Sequence, residues 1–232
     1  SSYASGWIRV NELIFVDDDQ ALKLEESKRV FVIKDAKSLF FENGAFAFES
    51  KIGSSFAFVG DDGKNYSVLA PHHGKMQVLL IPKSISSVGY LDFSKIGSVA
   101  RDISRTNYGW GGYAEQRDCS STLRDIFAPF GVWLPRNSYE QSMVGQIYDL
   151  KKMSDLEKVE TIKKYAIPFK TLLYKAGHIM LYVGEHNGDI VIFHNVWGIK
   201  TIDAKGQEGR VVVGGVVLSS LQLGKELPGY NS

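Results

Sequence analysis

Arg117-Asp118-Cys119-Ser120-Ser121 is followed by Leu123, Ile126, Phe127 and Phe130, four, seven, eight and eleven residues beyond the cysteine. That spacing lays an apolar stripe along one face of a helix, which Gly131 and Pro135 bring to a stop. Cys119, the only cysteine of the chain, is thereby placed at a helix N-terminus. Some sixty residues later Gly177-His178 opens a strand-like run, so a thiol and an imidazole can meet in space without being neighbours in sequence. Nucleophilic cysteine chemistry is the first expectation.

Downstream of this helix, two further helices are expected over Tyr139 to Leu150 and Ser154 to Tyr165. The second has a capping-box pattern, Ser154 with Glu157 three residues on. Pro168 closes the helical region. The pattern then changes to Leu172-Leu173-Tyr174, His178-Ile179-Met180-Leu181-Tyr182-Val183 and Asp189-Ile190-Val191-Ile192-Phe193-His194, with Gly184 to Gly188 as the turn between the last two. These read as strands of an antiparallel sheet. A turn centred near His186 sets His178 and His194 about opposite one another, where cross-strand side chains approach within ~5 Å. One histidine can then orient the other. Asn195 is the rival orienter, but alternation along a strand sends it to the opposite face.

Upstream the texture differs. Up to about residue 90 the chain has short β-rich runs, among them Arg29-Val30-Phe31-Val32-Ile33, Ser38-Leu39-Phe40-Phe41, Phe56-Ala57-Phe58-Val59 and Gln77-Val78-Leu79-Leu80-Ile81. Turn signals at Glu42-Asn43-Gly44, Gly60-Asp61-Asp62-Gly63 and His73-Gly74 separate them, as suits a small β-barrel. From about residue 91 Phe93, Ile96, Val99, Ala100 and Ile103 recur at helical intervals, so a domain boundary is expected near Tyr90. Asp17-Asp18-Asp19 reads as a solvated turn and His72-His73 as a loop pair, not a metal site.

With 232 residues and 44% hydrophobic content the chain can bury one good core, or one core plus a small satellite. Lys+Arg 27 against Asp+Glu 26 leaves a net charge of +1, which gives no electrostatic case for nucleic acid or a polybasic membrane anchor. A small or neutral ligand is the expected partner. One cysteine excludes an intramolecular disulfide but leaves the redox compartment open. No apolar run reaches the ~20 residues of a membrane helix and Ser1-Ser2-Tyr3 does not open a signal peptide, so the reading is a cytosolic protein or one whose export segment has been removed.

Four motifs in order carry a family resemblance: Tyr108-Gly109-Trp110-Gly111-Gly112, Arg117-Asp118-Cys119-Ser120, Leu134-Pro135-Arg136-Asn137-Ser138 with Gln141, and Gly177-His178-Ile179-Met180-Leu181-Tyr182-Val183-Gly184. Together they resemble the NlpC-type bacterial cell-wall cysteine peptidases over roughly residues 91 to 232. The β-rich part at 28–90 resembles the bacterial SH3-like modules that precede such domains in one subgroup. Residues 1–27, where Tyr3-Ala4-Ser5-Gly6-Trp7-Ile8 looks like a closing strand, are read as the end of a preceding module of that kind or a linker; if the former, the chain is a fragment of a longer protein, the alternative for the segment being a plain N-terminal strand. The expected fold class is α+β, a papain-like NlpC-type catalytic domain behind a small SH3-like β-barrel. Two departures bear on the shape of the cleft. The family usually has Gly two residues after the cysteine, where this chain has Ser121, and its usual Gly-Asp before the first strand is here Lys170-Thr171.

The resemblance implies a cysteine endopeptidase that cuts the γ-D-glutamyl bond to a diamino acid in peptidoglycan stem peptides through a thioester. It assigns Cys119 as nucleophile, His178 as base and His194 as the residue orienting it. The N-H of Cys119 and the hydroxyl of Tyr108 become oxyanion donors, and Trp110, nine residues before the cysteine, a cleft aromatic. Losing one such donor typically costs ~10²-fold to 10³-fold in rate. A helix N-terminus and an imidazolium together pull a thiol from about 8.5 towards ~4 to 7, so Cys119 is expected as a thiolate at neutral pH. Asp118, Ser120 and Ser138 match positions that in the subgroup surround the free amino end of the substrate's L-alanine, the groups a buried ammonium requires; Asp118 also reads as a helix cap. Arg136 is either a structural cation or meets a substrate carboxylate.

No cofactor is implied. The implied partner is peptidoglycan or its stem peptides, and the implied location the cell envelope, or the bacterial cytosol if the enzyme works in recycling. Two other readings stand beside it: a wall-binding protein with an inactive papain-like domain, and an amidase or acyltransferase in which an amine or alcohol captures the thioester.

Overall fold

The computed structural model describes residues 7, 10, 13–35, 38–202, 205–225 and 227. The closing strand expected over Tyr3 to Ile8 lies, but for Trp7, outside the described residues. The chain forms two compact units, each with its own sheet. One runs to Ile103 and takes in Asp125–Trp133; the other comprises Ser104–Arg124 and the chain from Leu134 onward.

In the first unit α1 (Asp18–Glu26) precedes seven strands: β1 (Arg29–Val32), β2 (Ser38–Phe41), β3 (Phe46–Glu49), β4 (Ser55–Asp61), β5 (Asn65–His72), β6 (Lys75–Pro82) and β7 (Ser86–Val88). The acidic triplet is thus not a turn. Asp17 caps α1, its carboxylate accepting from the Gln20 N-H at 2.8 Å while the Gln20 side chain returns a bond to the Asp17 N-H, and Asp18 and Asp19 sit in the first turn, where the helix dipole favours negative charge. The strands pair antiparallel in the order β3-β2-β6-β5-β4-β1-β7. Alternate residues Val30 and Val32, Leu39 and Phe41, Val68 and Ala70, and Leu79 and Ile81 point into one buried cluster, the period-two signature of half-buried strands. Four places apart in that order, β3 and β4 still bring Phe48 and Phe56 within 5.7 Å, ring to ring. The sheet therefore curls round its core in the SH3-like manner. His72 is the last residue of β5 and its ring lies 4.4 Å from Phe41; the loop is only His73-Gly74, both at positive φ. The helical pattern after residue 91 becomes a 3-10 turn at Phe93–Lys95 and α2 (Ile96–Ile103), which buries Ile96, Val99, Ala100 and Ile103.

The helix α3 (Cys119–Phe127) begins at the cysteine and ends through a 3-10 turn, Ala128–Phe130, at Gly131 in the left-handed conformation. In the second unit α4 (Ser138–Gln141) is a single turn. The helix expected as far as Leu150 does not continue, because the Ser142 and Met143 N-H groups fold back into tight turns on Ser138, Tyr139 and Glu140 and Gly145 takes positive φ. The next helix, α5 (Asp155–Tyr165), starts where its capping box places it, Ser154 and Glu157 exchanging bonds. Four strands, β8 (Leu172–Lys175), β9 (His178–His186), β10 (Asp189–Ile202) and β11 (Glu208–Ser220), form an antiparallel sheet in the order β11-β10-β9-β8. Ile162 of α5 packs with Tyr182, Ile190 and Ile192 of that sheet. No helix among the described residues is long and apolar enough to cross a membrane.

Leu79 is fully buried in the barrel cluster. Leu79→Ala is expected to cost about 2–5 kcal/mol, measured as a lower denaturant midpoint at an unchanged slope.

Candidate active site

The turn between β9 and β10 is tighter than the glycines suggest. Asn187 and Gly188, at φ 51 and φ 85, make a two-residue turn between His186 and Asp189, the geometry that an Asn-Gly pair favours. A bulge between Val191 and Ile192 then changes the register, pairing Ile192 with Tyr182 and Phe193 with Leu181. Continuing that register sets His194 opposite Met180, so His178 and His194 are diagonal neighbours on one face and not a directly opposed pair. Diagonal positions remain within reach of aromatic rings. His178 Nε2 and His194 Nδ1 lie 2.8 Å apart.

His194 is 4% exposed. On its far side, Nε2 lies 3.0 Å from the Ser219 hydroxyl. Ser219 stands on β11, which pairs with β10 through His194↔Val217 and Ile192↔Ser219, so it is the other diagonal neighbour on the same face. Sequence reading missed it: it belongs to no motif and follows a loop and a second bulge, between Val196 and Gly198. Only the register of the β10–β11 ribbon could have found it. Asn195 faces away. Its buried amide donates to the Arg117 carbonyl at 2.8 Å and to Thr122 Oγ1 at 3.0 Å, which removes it as an orienter of His178.

Ile179, the residue after His178 at the start of β9, is among the backbone N-H groups that favour the ionised Cys119 sulfur. Burial nevertheless pushes the thiol above its ordinary range. Ile179, Ser120 and Cys119 N-H groups pull the other way and the Asp118 carboxylate adds to the rise. Burial also lowers His178 to about 4, helped by Lys175, and His194 to about 3, helped by His178. This corrects the thiolate expected from the helix start: desolvation of a cysteine left 6% exposed outweighs the amides, and both imidazoles are held neutral. At neutral pH the resting site holds a thiol and two neutral imidazoles.

Asp118 caps α3, Oδ1 accepting from the Ser121 N-H at 2.8 Å. The same oxygen accepts from the hydroxyls of Ser120 at 3.0 Å and Ser121 at 2.9 Å, and Arg136 bonds both carboxylate oxygens at 3.1 and 2.8 Å. Burial raises the Asp118 carboxyl, but Arg136 and the Ser121 bonds outweigh it and hold it below the usual range. Of the two roles open to Arg136, the structure shows it paired with Asp118 and with Ser120 Oγ at 3.1 Å. Ser121, where the family's glycine would stand, closes the cap by accepting from the Asp118 N-H at 2.9 Å. Ser138 is half-buried at the start of α4. Gln141 of that turn ties it to the cysteine's neighbour, bonding the Ser120 and Pro135 carbonyls at 2.8 Å each.

Tyr108 is held by its N-H on the Gly214 carbonyl at 2.9 Å and by a bridge to Arg117. Burial raises its phenol and the Asp118 carboxylate adds to the rise, which keeps it a proton donor at neutral pH. Gly109 has no room for a side chain, since an added Cβ would come within 2.5 Å of the Tyr113 carbonyl and of Gln116. Trp110 is 81% exposed at the head of a loop in which Gly111, Gly112, Ala114 and Glu115 all have positive φ.

Residues 105–207 match the family model of the NlpC/P60 family, and residues 17–62 that of an SH3 domain of SH3b2 type. Among solved structures, an NlpC/P60 endopeptidase from Photobacterium damselae subsp. piscicida superposes with a TM-score of 0.74 at 24% identity, over 92% of this chain and 50% of that one. An NlpC/P60 family protein from Bacillus cereus ATCC 10987 gives 0.59 at 16% identity, over 92% and 64%. The chain thus spans about half to two thirds of the length of these structures. No curated protein sequence matches it.

Two measurements follow from the electrostatics. Thiolate absorbance near 240 nm in the free protein is expected to appear only above the ordinary thiol range, about pH 8.5, and a thiolate already present at pH 7 would contradict the buried neutral thiol. The two histidines have folded values below the unfolded 6.5. Their contribution to stability is present above pH 6.5 and is lost as pH falls through about 4 and 3. Denaturant unfolding of the His178→Gln/His194→Gln double variant should accordingly show a shallower decline in stability over that window than the parent.

Proposed function

We propose that this chain, which carries an NlpC/P60 domain and an SH3-type module, is a cysteine endopeptidase that hydrolyses the γ-D-glutamyl bond to a diamino acid in peptidoglycan stem peptides. The observation that carries the reading is the His178–His194 pair at 2.8 Å, with Cys119 at the start of α3 and the backbone N-H of Ile179, the residue after His178, favouring its ionised sulfur. Residues 91–232 act as the catalytic domain and 28–90 as the module that binds the wall.

A neutral thiol and a neutral imidazole suit general-base attack. As the sulfur bonds to the scissile carbonyl carbon, its proton passes to His178 and the carbonyl oxygen gains the negative charge. The Cys119 N-H and the Tyr108 hydroxyl are the donors for that oxygen. Collapse of the adduct breaks the C–N bond, and the leaving amine of the diamino acid takes the proton from His178. Water then attacks the thioester, giving up one proton to His178, which returns it to the departing sulfur. Because the thiol starts neutral, proton transfer accompanies attack and does not precede it.

Asp118, Ser120 and Ser138 are proposed to receive the free ammonium of the substrate's L-alanine, with Trp110 over the cleft. Asp118 Oδ2 bonds Arg136, and a carboxylate oxygen has a second lone pair for an ammonium donor. The cell envelope is the location that suits such a substrate.

Wild-type protein incubated with L-Ala-γ-D-Glu-diamino acid tripeptide is expected to release the dipeptide L-Ala-D-Glu, as seen by mass spectrometry, and Cys119→Ala to release none while keeping the circular dichroism of the parent. Blocking the substrate's N-terminus should lower kcat/KM at least tenfold, the loss of roughly one charge-assisted contact. Undiminished cleavage by Cys119→Ala would refute the assignment.

A further inference from the structure

The side-chain chain that ends at His178 starts from a group able only to accept. Ser219 Oγ lies 2.9 Å from the Ser220 carbonyl, placed to donate to it, and 3.0 Å from His194 Nε2. A hydroxyl has one hydrogen. Spent on the carbonyl, it leaves the Ser219 oxygen as an acceptor, and His194 must carry its proton on Nε2 to fill it. A neutral imidazole has one N-H and one lone pair, so Nδ1 of His194 is then the lone pair that accepts from His178 Nε2-H across 2.8 Å. His178 in turn keeps Nδ1 unprotonated. In the opposite polarity, Ser219 donates to His194, His194 Nδ1-H donates to His178 Nε2, and His178 carries its proton on Nδ1. It then has no lone pair left for a thiol proton, since Nε2 is occupied.

We propose that Ser219 is the positioning residue of this site: by accepting from His194 Nε2-H it sets the tautomers of both histidines and leaves His178 Nδ1 as the free base. The assignment deepens the peptidase reading and rests on it for its consequence in catalysis, though not for the tautomers themselves. It also explains how a histidine serves where a carboxylate would orient the base without ambiguity. An imidazole can donate or accept at either nitrogen, and so needs a fixed partner on its far side. The strand register supplies one, since Val217 pairs with His194 and Ser219, two residues on, is on the same face.

Nitrogen-15 NMR of the two imidazoles at neutral pH reads the tautomers directly. In the wild type, protonated Nε2 is expected on both rings. Ser219→Ala removes the acceptor and should move His194, and with it His178, towards the Nδ1-H form. Ser219→Thr, which keeps the hydroxyl and suits a strand, should restore the wild-type pattern. In tripeptide hydrolysis Ser219→Ala should lower kcat by roughly ten- to hundredfold with KM nearly unchanged, less than the ~10²-fold to 10⁴-fold that a general base contributes, because part of the population keeps the productive tautomer. Wild-type rings carrying the proton on Nδ1, or Ser219→Ala with unaltered tautomers and kcat, would overturn the proposal. If the wild type cleaves no stem peptide, the peptidase reading fails while the NMR comparison still decides the role of Ser219.

Discussion

The buried amide of Asn195 is the tie on which the site depends. Its side chain is fully buried and donates to the Arg117 carbonyl and the Thr122 hydroxyl, residues that bracket Cys119 at the start of α3. A strand residue seventy-odd positions away thus fixes the helix N-terminus against β10. Because His194 is the preceding residue and faces the other side, one short stretch of backbone sets both the cysteine's helix and the second histidine. Losing these two buried hydrogen bonds with no water to replace them would leave polar groups unpaired in a low-dielectric interior, a cost of about 1–3 kcal/mol for each. Gln141 makes a similar tie from α4 to the carbonyls of Ser120 and Pro135. The N-terminal turn of α3 is therefore held from two directions, and the sulfur is given little freedom.

That rigidity has an electrostatic consequence. The helix N-terminus and the amide of Ile179 favour a negative sulfur, but closing the site around it removes the water that would solvate the charge, and Asp118 next door opposes it. Desolvation acts on the imidazoles in the same sense, each preferring its neutral form. Neutral thiol and neutral base carry the same total proton count as a thiolate–imidazolium pair, and burial favours the arrangement without separated charge. A bound substrate carbonyl changes the balance, since the charge that leaves the sulfur goes to an oxygen faced by prepared donors.

Much of this was legible in the sequence because it rests on local pattern. The stripe from Leu123 to Phe130, the capping box at Ser154 and the alternating barrel strands each follow from a periodicity that the chain obeys. What escaped depends on two-dimensional register or on packing. The turn falls at Asn187-Gly188 in place of His186 and a bulge follows Val191, and the two shifts together make the expected opposed histidines diagonal ones. The ribbon of β10 and β11, and Ser219 with it, comes after the last motif, in a stretch where Gly198, Gly214 and Gly215 blur the alternation. The capped helix at Asp18 was hidden because three aspartates in a row read as solvent-facing, although an acidic first turn is what a helix dipole rewards. The resting thiol was misjudged for a different reason: the sequence shows the helix start that stabilises a thiolate but not the burial that opposes it.

The substitution at Ser121 shows how the same scaffold absorbs a change in its motif. A glycine there would offer the Asp118 cap only its backbone N-H. Serine adds a hydroxyl that accepts from the Asp118 N-H and bonds its Oδ1. The carboxylate thereby gains a neutral partner in addition to Ser120 and the two bonds of Arg136. Burying a carboxylate beside a thiol would otherwise work against both groups, raising the one and deterring ionisation of the other. With its charge shared among a guanidinium and several hydrogen-bond donors, Asp118 stays ionised as the helix cap. The sulfur then experiences a compensated pair at its shoulder, in place of a bare anion.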